Sequence, residues 1–104
     1  MKRILVIDTS DNKLIKVGLH IEGKKDVEER VPDYRTQVVL PLIEELLKKH
    51  KLKLGDITSI EVNRGPGSFT GLRVGISIAN TLGSLLQIPV NGKKSGDLVE
   101  AFYT

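Results

Sequence analysis

The chain has 104 residues, 28% of them charged, and a net charge of +3. That length is one domain, residues 1–104, able to bury somewhat over about 60% of the surface its unfolded chain exposes. It has no cysteine, which excludes a disulfide framework, a thiol nucleophile and a cysteine zinc site; two phenylalanines, two tyrosines and no tryptophan give no stacking platform for single-stranded nucleic acid.

In chain order, Ile4 to Ile7 is a continuous apolar run, the mark of a buried central strand. The run is too short for a signal peptide or a membrane span, and Asp8 interrupts it, so the expectation is a cytoplasmic protein that does not engage a membrane. Asp8-Thr9-Ser10 reads as a turn at the strand end, and Asp11-Asn12 as a second turn signal. Leu14 to Glu22 sets Ile15, Val17, Leu19 and Ile21 on one face of a second strand. After Gly23-Lys24, the stretch Lys25 to Val31 is charged, with Val27 as its interior anchor; this suits an edge strand, ended by Pro32-Asp33.

From Thr36 to about His50 the period becomes helical. Val38, Val39, Leu42, Ile43, Leu46 and Leu47 form one face, and Glu44, Glu45, Lys48 and Lys49 the other. Pro41 requires the helix to begin just before it or to bend there. Lys48, Lys49, Lys51 and Lys53 gather at the helix end, where the dipole favours cations; they read as a solvated end rather than an RNA patch. Leu54-Gly55-Asp56 leads to a strand at Ile60 to Val62. A second helix runs from Phe69 to about Gln87, Ile88-Pro89-Val90 opens a fifth short strand, and Ser95 to Tyr103 begins a third helix. Short turns make the first three strands antiparallel, and helical crossovers make the later ones parallel. The expected fold is α/β, a five-stranded mixed sheet with about three helices.

Between the fourth strand and the second helix lies Arg64-Gly65-Pro66-Gly67-Ser68-Phe69-Thr70-Gly71-Leu72-Arg73-Val74-Gly75. A glycine loop opening a helix is a ready anion site. No Lys-Ser/Thr pair follows its last glycine, and glycines at 65, 67 and 71 do not fit the dinucleotide spacing. Gly65, Gly67, Ser68 and Gly71 therefore read either as a phosphate cradle or as a tight turn with a helix cap at Ser68 or Thr70. Asp8, with Thr9, sits where open α/β sheets place ligands, but no second acid or base joins it by spacing. His20 and His50 have no metal-ligand spacing, so no catalytic residue and no metal site is assigned.

The second helix has an apolar arc of roughly 200° at about 100° per residue, wider than one sheet face requires. Arg73 is its only charge, and Gly71, Gly75, Ala79 and Gly83 recur every four residues. Such a stripe lets another helix approach closely, either the first helix of the same chain or one from another protein. Leu42, Leu46, Leu72, Arg73, Ile76, Asn80 and Gly83 are the candidate partner contacts.

The wording of the glycine segment resembles the signature of the TsaB (YeaZ) family, accessory subunits in forming threonylcarbamoyladenosine in tRNA. Ile4 to Ser10, Thr36-Gln37 with Leu40 to Ile43, Ala79-Asn80 with Leu82, and Ile88-Pro89-Val90 match in the same order. The resemblance implies the first domain of the actin-like ATPase and sugar-kinase (ribonuclease H-like) fold, with the family's second domain absent. It implies a non-enzymatic subunit that binds a TsaD-type catalytic subunit through its two helices, with a TsaE-type ATPase docking on the pair. It implies a homodimer in isolation, only indirect contact with tRNA, and no cofactor, ATP entering only in the assembled complex. The catalytic homologue's His-x-x-x-His motif has no counterpart at Thr36, Leu40 or Pro41. The rival readings are a small nucleotide-binding or phosphohydrolase relic using Asp8 and the glycine loop, and a homodimeric interaction module.

Overall fold

The computed structural model describes residues 1–11, 13–32, 36–94 and 97–101. Its strands are β1 (Arg3–Asp11), β2 (Leu14–Ile21), β3 (Val27–Val31) and β4 (Ser59–Val62); its helices are α1 (Val39–Lys49) and α2 (Phe69–Leu86). They form one mixed sheet in the order β3-β2-β1-β4. β1 pairs antiparallel with β2 and parallel with β4, and β3 runs antiparallel to β2. Leu5 stands between Leu19 and Ile60, and Ile7 between Val17 and Val62, so alternation along each strand builds one continuous apolar face. α1 lies over β2 and β3, and α2 over β1 and β4. Leu5, Ile7, Leu19, Ile43, Leu46 and Leu72 are fully buried between sheet and helices.

α1 begins two residues before Pro41, after a 3₁₀ turn at Thr36–Val38. Pro41 thus falls within the first helical turn, where the missing N–H has no intrahelical partner to lose. The helix closes when Lys51 takes φ +58 and the Leu52 N–H reaches the Leu47 carbonyl at 2.9 Å. Its last turn is tied to the edge strand by Lys49 Nζ, 2.7 Å from Glu29 Oε1. The Glu29 hydrogen bond and charge raise the Lys49 pKa. Val31 as well as Val27 packs against the core, so the edge strand has two apolar anchors rather than one.

Three expectations are corrected. The first strand does not stop at Ile7; it continues to Asp11 with a shift of register between Asp8 and Asp11, so Asp8-Thr9-Ser10 is strand rather than the expected turn. The sheet has four strands, not five. Residues 88–90 do run beside β4, but as a single parallel bridge between Ile60 and Val90. A side chain replaces the rest of that strand: Asn91 Oδ1 accepts the Val62 N–H at 2.8 Å, and Asn91 Nδ2 donates to the Val62 carbonyl at 3.0 Å. The described chain has two α-helices, not three. Residues 97–101 are not helical; the remainder of the expected third helix, at 95, 96, 102 and 103, lies outside the described residues.

Candidate functional site

β1 and β4 are parallel neighbours, and their C-terminal ends meet the start of α2 at one corner of the sheet. The glycine loop occupies that corner. Gly65 has φ +117 and is joined to Pro66 by a cis peptide bond. Ser68 caps α2, its hydroxyl accepting the Gly71 N–H at 3.3 Å.

Thr9 locks strand to helix. It is the one buried polar residue in the described core, 3% exposed. Its hydroxyl donates to the Gly71 carbonyl at 2.5 Å and accepts the Gly75 N–H at 3.0 Å. In an uninterrupted helix those two backbone groups would bond to each other. The hydroxyl thus bridges these two backbone groups of α2, so β1 and α2 share a hydrogen-bonding unit.

The glycines make this approach sterically feasible. A Cβ on Gly71 would lie 2.2 Å from the Thr9 carbonyl oxygen, one on Gly75 2.4 Å from Thr9 Oγ1, and one on Gly67 2.7 Å from the Ser10 carbonyl oxygen and Cβ. At the other end of α2, a Cβ on Gly83 would meet Val90 Cγ2 at 2.4 Å. The small-residue stripe therefore packs on the chain's own sheet and the 88–90 segment. Packing on the first helix, one of the two expected arrangements, is not what occupies it: the helix approaches a strand rather than another helix.

Asp8 ends in a polar network. Its Oδ1 accepts the Ser10 N–H at 3.0 Å and the Ser10 hydroxyl at 2.6 Å. Asn63 Nδ2 donates to Ser10 Oγ at 3.2 Å, while Asn63 Oδ1 accepts the Gly65 N–H at 2.9 Å. Partial burial pushes the Asp8 carboxyl up. The Ser10 hydroxyl and amide, then Asn63 and the Lys16 charge, outweigh it and hold the carboxyl below its ordinary value. Ser10 also accepts the Ser68 N–H on its carbonyl, at 2.8 Å. The N–H groups of Gly65, Ser68 and Gly71, which would line a phosphate cradle, are all bonded within the chain. Among the described residues no three His, Cys, Asp or Glu side chains gather as a metal group. Asn63 and Asn91 were not singled out from the sequence, and Ser10 was read only as part of a turn. The signal for Asn63 was present: an Asn two residues before a glycine, at a strand end.

Two results are expected at this corner. Thr9→Val keeps the shape and removes the hydroxyl, so chemical denaturation should show a loss of about 1–2 kcal/mol. Asp8→Asn addresses the pH dependence. A folded pKa below the unfolded one gives stability that is complete above the ordinary carboxylate range, about pH 4, and lost as pH falls through the folded value. Urea unfolding at pH 7 and pH 3 should therefore show a shallower acid loss for Asp8→Asn than for the parent. Its cost at pH 7 should be about 1 kcal/mol, limited by the partial exposure of the group.

The other predicted residues lie along the helices. Leu46 and Leu72 are fully buried in this chain's own core; Leu42 and Ile76 are nearly so, and Gly83 is buried. Arg73 is exposed and stacks over the Phe69 ring, 5.4 Å from its centroid. Asn80 is half-buried and bonded to Val99, Nδ2 to the carbonyl and Oδ1 to the N–H, both at 2.9 Å. The outward side of α2 carries Thr70, Arg73, Ser77, Thr81 and Ser84, with Phe69 57% and Leu85 74% exposed at its ends. An open groove of about 590 Å³ runs between the start of α1 and α2, lined by Leu40, Phe69, Thr70, Arg73, Val74, Ser77 and Ile78. No described helix is long and apolar enough to cross a membrane.

These features define an α/β domain whose glycine loop serves close strand–helix packing and whose outer helix is nearly uncharged. The family model described as TsaD: tRNA N6-adenosine threonylcarbamoyltransferase matches residues 7–97. The Escherichia coli (strain K12) tRNA threonylcarbamoyladenosine biosynthesis protein TsaB is 38% identical over 91 residues, 86% of this chain and 39% of that protein. The Bacillus subtilis (strain 168) protein of the same name is 31% identical over 105 residues, 94% of this chain and 43% of that protein. The solved structure of YeaZ from Pseudomonas aeruginosa superposes with a TM-score of 0.80 at 34% identity, over 86% of this chain and 42% of that one. The chain belongs to the TsaB (YeaZ) family. It spans about two fifths of the length of these relatives, 39% and 43% for the two TsaB proteins.

Proposed function

We propose that this chain is an accessory subunit in forming threonylcarbamoyladenosine at adenosine 37 of tRNA. It docks on a TsaD-type catalytic subunit through the outward side of α2 and the start of α1. The observation that carries this reading is the character of α2: over its 18 residues Arg73 is the only charge, and apolar side chains stand exposed beside the groove. A helix facing only water would carry a charged outer face. The glycine corner favours a supporting role over phosphate chemistry by the chain itself, since the N–H groups of Gly65, Ser68 and Gly71 are already bonded within the chain. Nucleotide then enters through a TsaE-type ATPase on the assembled pair, and tRNA is met by the catalytic subunit.

The test is to mix the chain with the catalytic subunit from the same genome and measure mass by light scattering on a sizing column. A one-to-one or two-to-two complex is the expected result. Separate elution at micromolar concentrations would overturn the proposal. The same face, with Arg73 as its one charge, offers little repulsion to a second copy, which favours a homodimer in the absence of the partner. The mass of the chain alone, followed over a dilution series, decides that point.

A further inference from the structure

The segment Leu98 to Ala101 has no regular secondary structure, yet three consecutive residues of it have their backbone groups bonded by side chains. Lys93 Nζ donates to the Leu98 carbonyl at 3.3 Å, Asn80 bonds both the N–H and the carbonyl of Val99, and Arg64 Nε donates to the Glu100 carbonyl at 2.9 Å. Val99 is buried, 3% exposed, while Leu98 is 64% exposed. The segment lies alongside α2 and, with Arg73, Ile76, Ser77, Asn80 and Thr81, borders a second groove of about 550 Å³.

We infer that residues 98–101 form a releasable strap that covers one flank of α2 when docked and enlarges the helix's contact surface when lifted. Its attachments differ from those of the rest of the sheet. It makes no ladder, two of its three clamps come from exposed Arg64 and Lys93 side chains, and Val99 is its one fully seated side chain. Such a segment opens without unfolding the core. Lifting it frees both hydrogen-bonding groups of Asn80 and uncovers the Ile76 flank, on the helix proposed to receive the catalytic subunit. The consequence for binding rests on that proposal; the opening itself does not.

Two measurements test it. In hydrogen exchange, the Val99 amide should exchange at least about a hundredfold faster than amides of the central strand such as Leu5; equal protection would overturn the strap. For the second, the absence of native cysteine allows Thr81→Cys and Glu100→Cys to be joined by a reducible thiol crosslinker. The locked protein should bind the catalytic subunit about tenfold more weakly than both the same protein after reduction and the Thr81→Cys single variant carrying the same reagent on its one thiol, and Val99→Asp, which ejects the strap, should bind at least as tightly as the parent. Affinities within twofold before and after reduction would overturn the gating role. Loss of binding in every form, the parent included, would overturn the docking proposal and the gating role with it, while the exchange result would still decide whether the strap opens.

Discussion

Gly71→Ala should lower the stability of the chain by about 3 kcal/mol, although it replaces a helical glycine with the best helix former. Propensity alone gives the opposite sign, a gain of up to about 1 kcal/mol. Against that stands a Cβ placed 2.2 Å from the Thr9 carbonyl oxygen. The obstruction is backbone of the central strand, so no rotamer change relieves it; helix and strand must separate, breaking the bonds of Thr9 to Gly71 and Gly75. Overpacking of this kind costs about 1–3 kcal/mol, and loss of the buried hydroxyl's bonds adds to it. For a domain of about 100 residues, 1 kcal/mol moves Tm by about 4–8 °C, so a fall of more than 10 °C is expected in thermal circular dichroism. Gly55→Ala is the matched control. A Cβ there meets no atom within 4 Å, and stability should be unchanged or slightly raised, as a less flexible unfolded chain requires. Equal behaviour of the two variants would mean that the glycine spacing has nothing to do with strand–helix contact.

Ser77→Arg should abolish most association with the catalytic subunit while leaving the fold intact. Ser77 is exposed on the outward side of α2 and borders the grooves on both flanks of the helix. A long cation there lies one turn from Arg73, where a like charge is mildly unfavourable in the free chain. In a docked helix–helix contact it must be buried without a partner, a cost of several kcal/mol moderated by bending of the side chain toward water. At least a thirtyfold weakening, roughly 2 kcal/mol, is the expected reading by titration calorimetry. Circular dichroism and Tm should match the parent. Unchanged affinity with an unchanged fold would remove α2 from the interface and, with it, the basis of the proposed function.

Much of the corner was legible in the sequence because its signals are local. An apolar run ending at Asp8, a glycine loop before a helix and a serine able to cap that helix are each written within a few residues, and Ser68 does cap α2. Face periodicity likewise marked Leu42, Leu46 and Leu72 as apolar positions. It reports which side is apolar, not what covers it. The stripe at 71, 75 and 83 could be read as helix against helix because nothing local to it names Thr9 and Val90 as the atoms on the other side. Thr9 meets Gly71 across 62 residues of sequence, a pairing no window of the chain contains. The fifth strand failed for a different reason. The edge of β4 did need partners after Ile60, but the Asn91 side chain provides them, and an amide that imitates backbone is invisible to strand propensity. The expected third helix meets its limit at Val99, whose N–H and carbonyl are both bonded to Asn80 instead of to a helical ladder.

The Asn91 amide also bears on how copies of this chain can meet. Along β4 the outward backbone groups of Ile60 bond Pro89 and Asn91, and those of Val62 bond the Asn91 side chain. No free row of donors and acceptors remains there for a strand of another molecule to copy. The opposite margin, β3, presents Glu28 and Arg30 outward, paired with each other. With one border of the sheet chemically saturated and the other charged, growth by strand addition into extended aggregates is disfavoured at both ends. Neither margin of the sheet thereby offers a template on which open-ended polymer could grow.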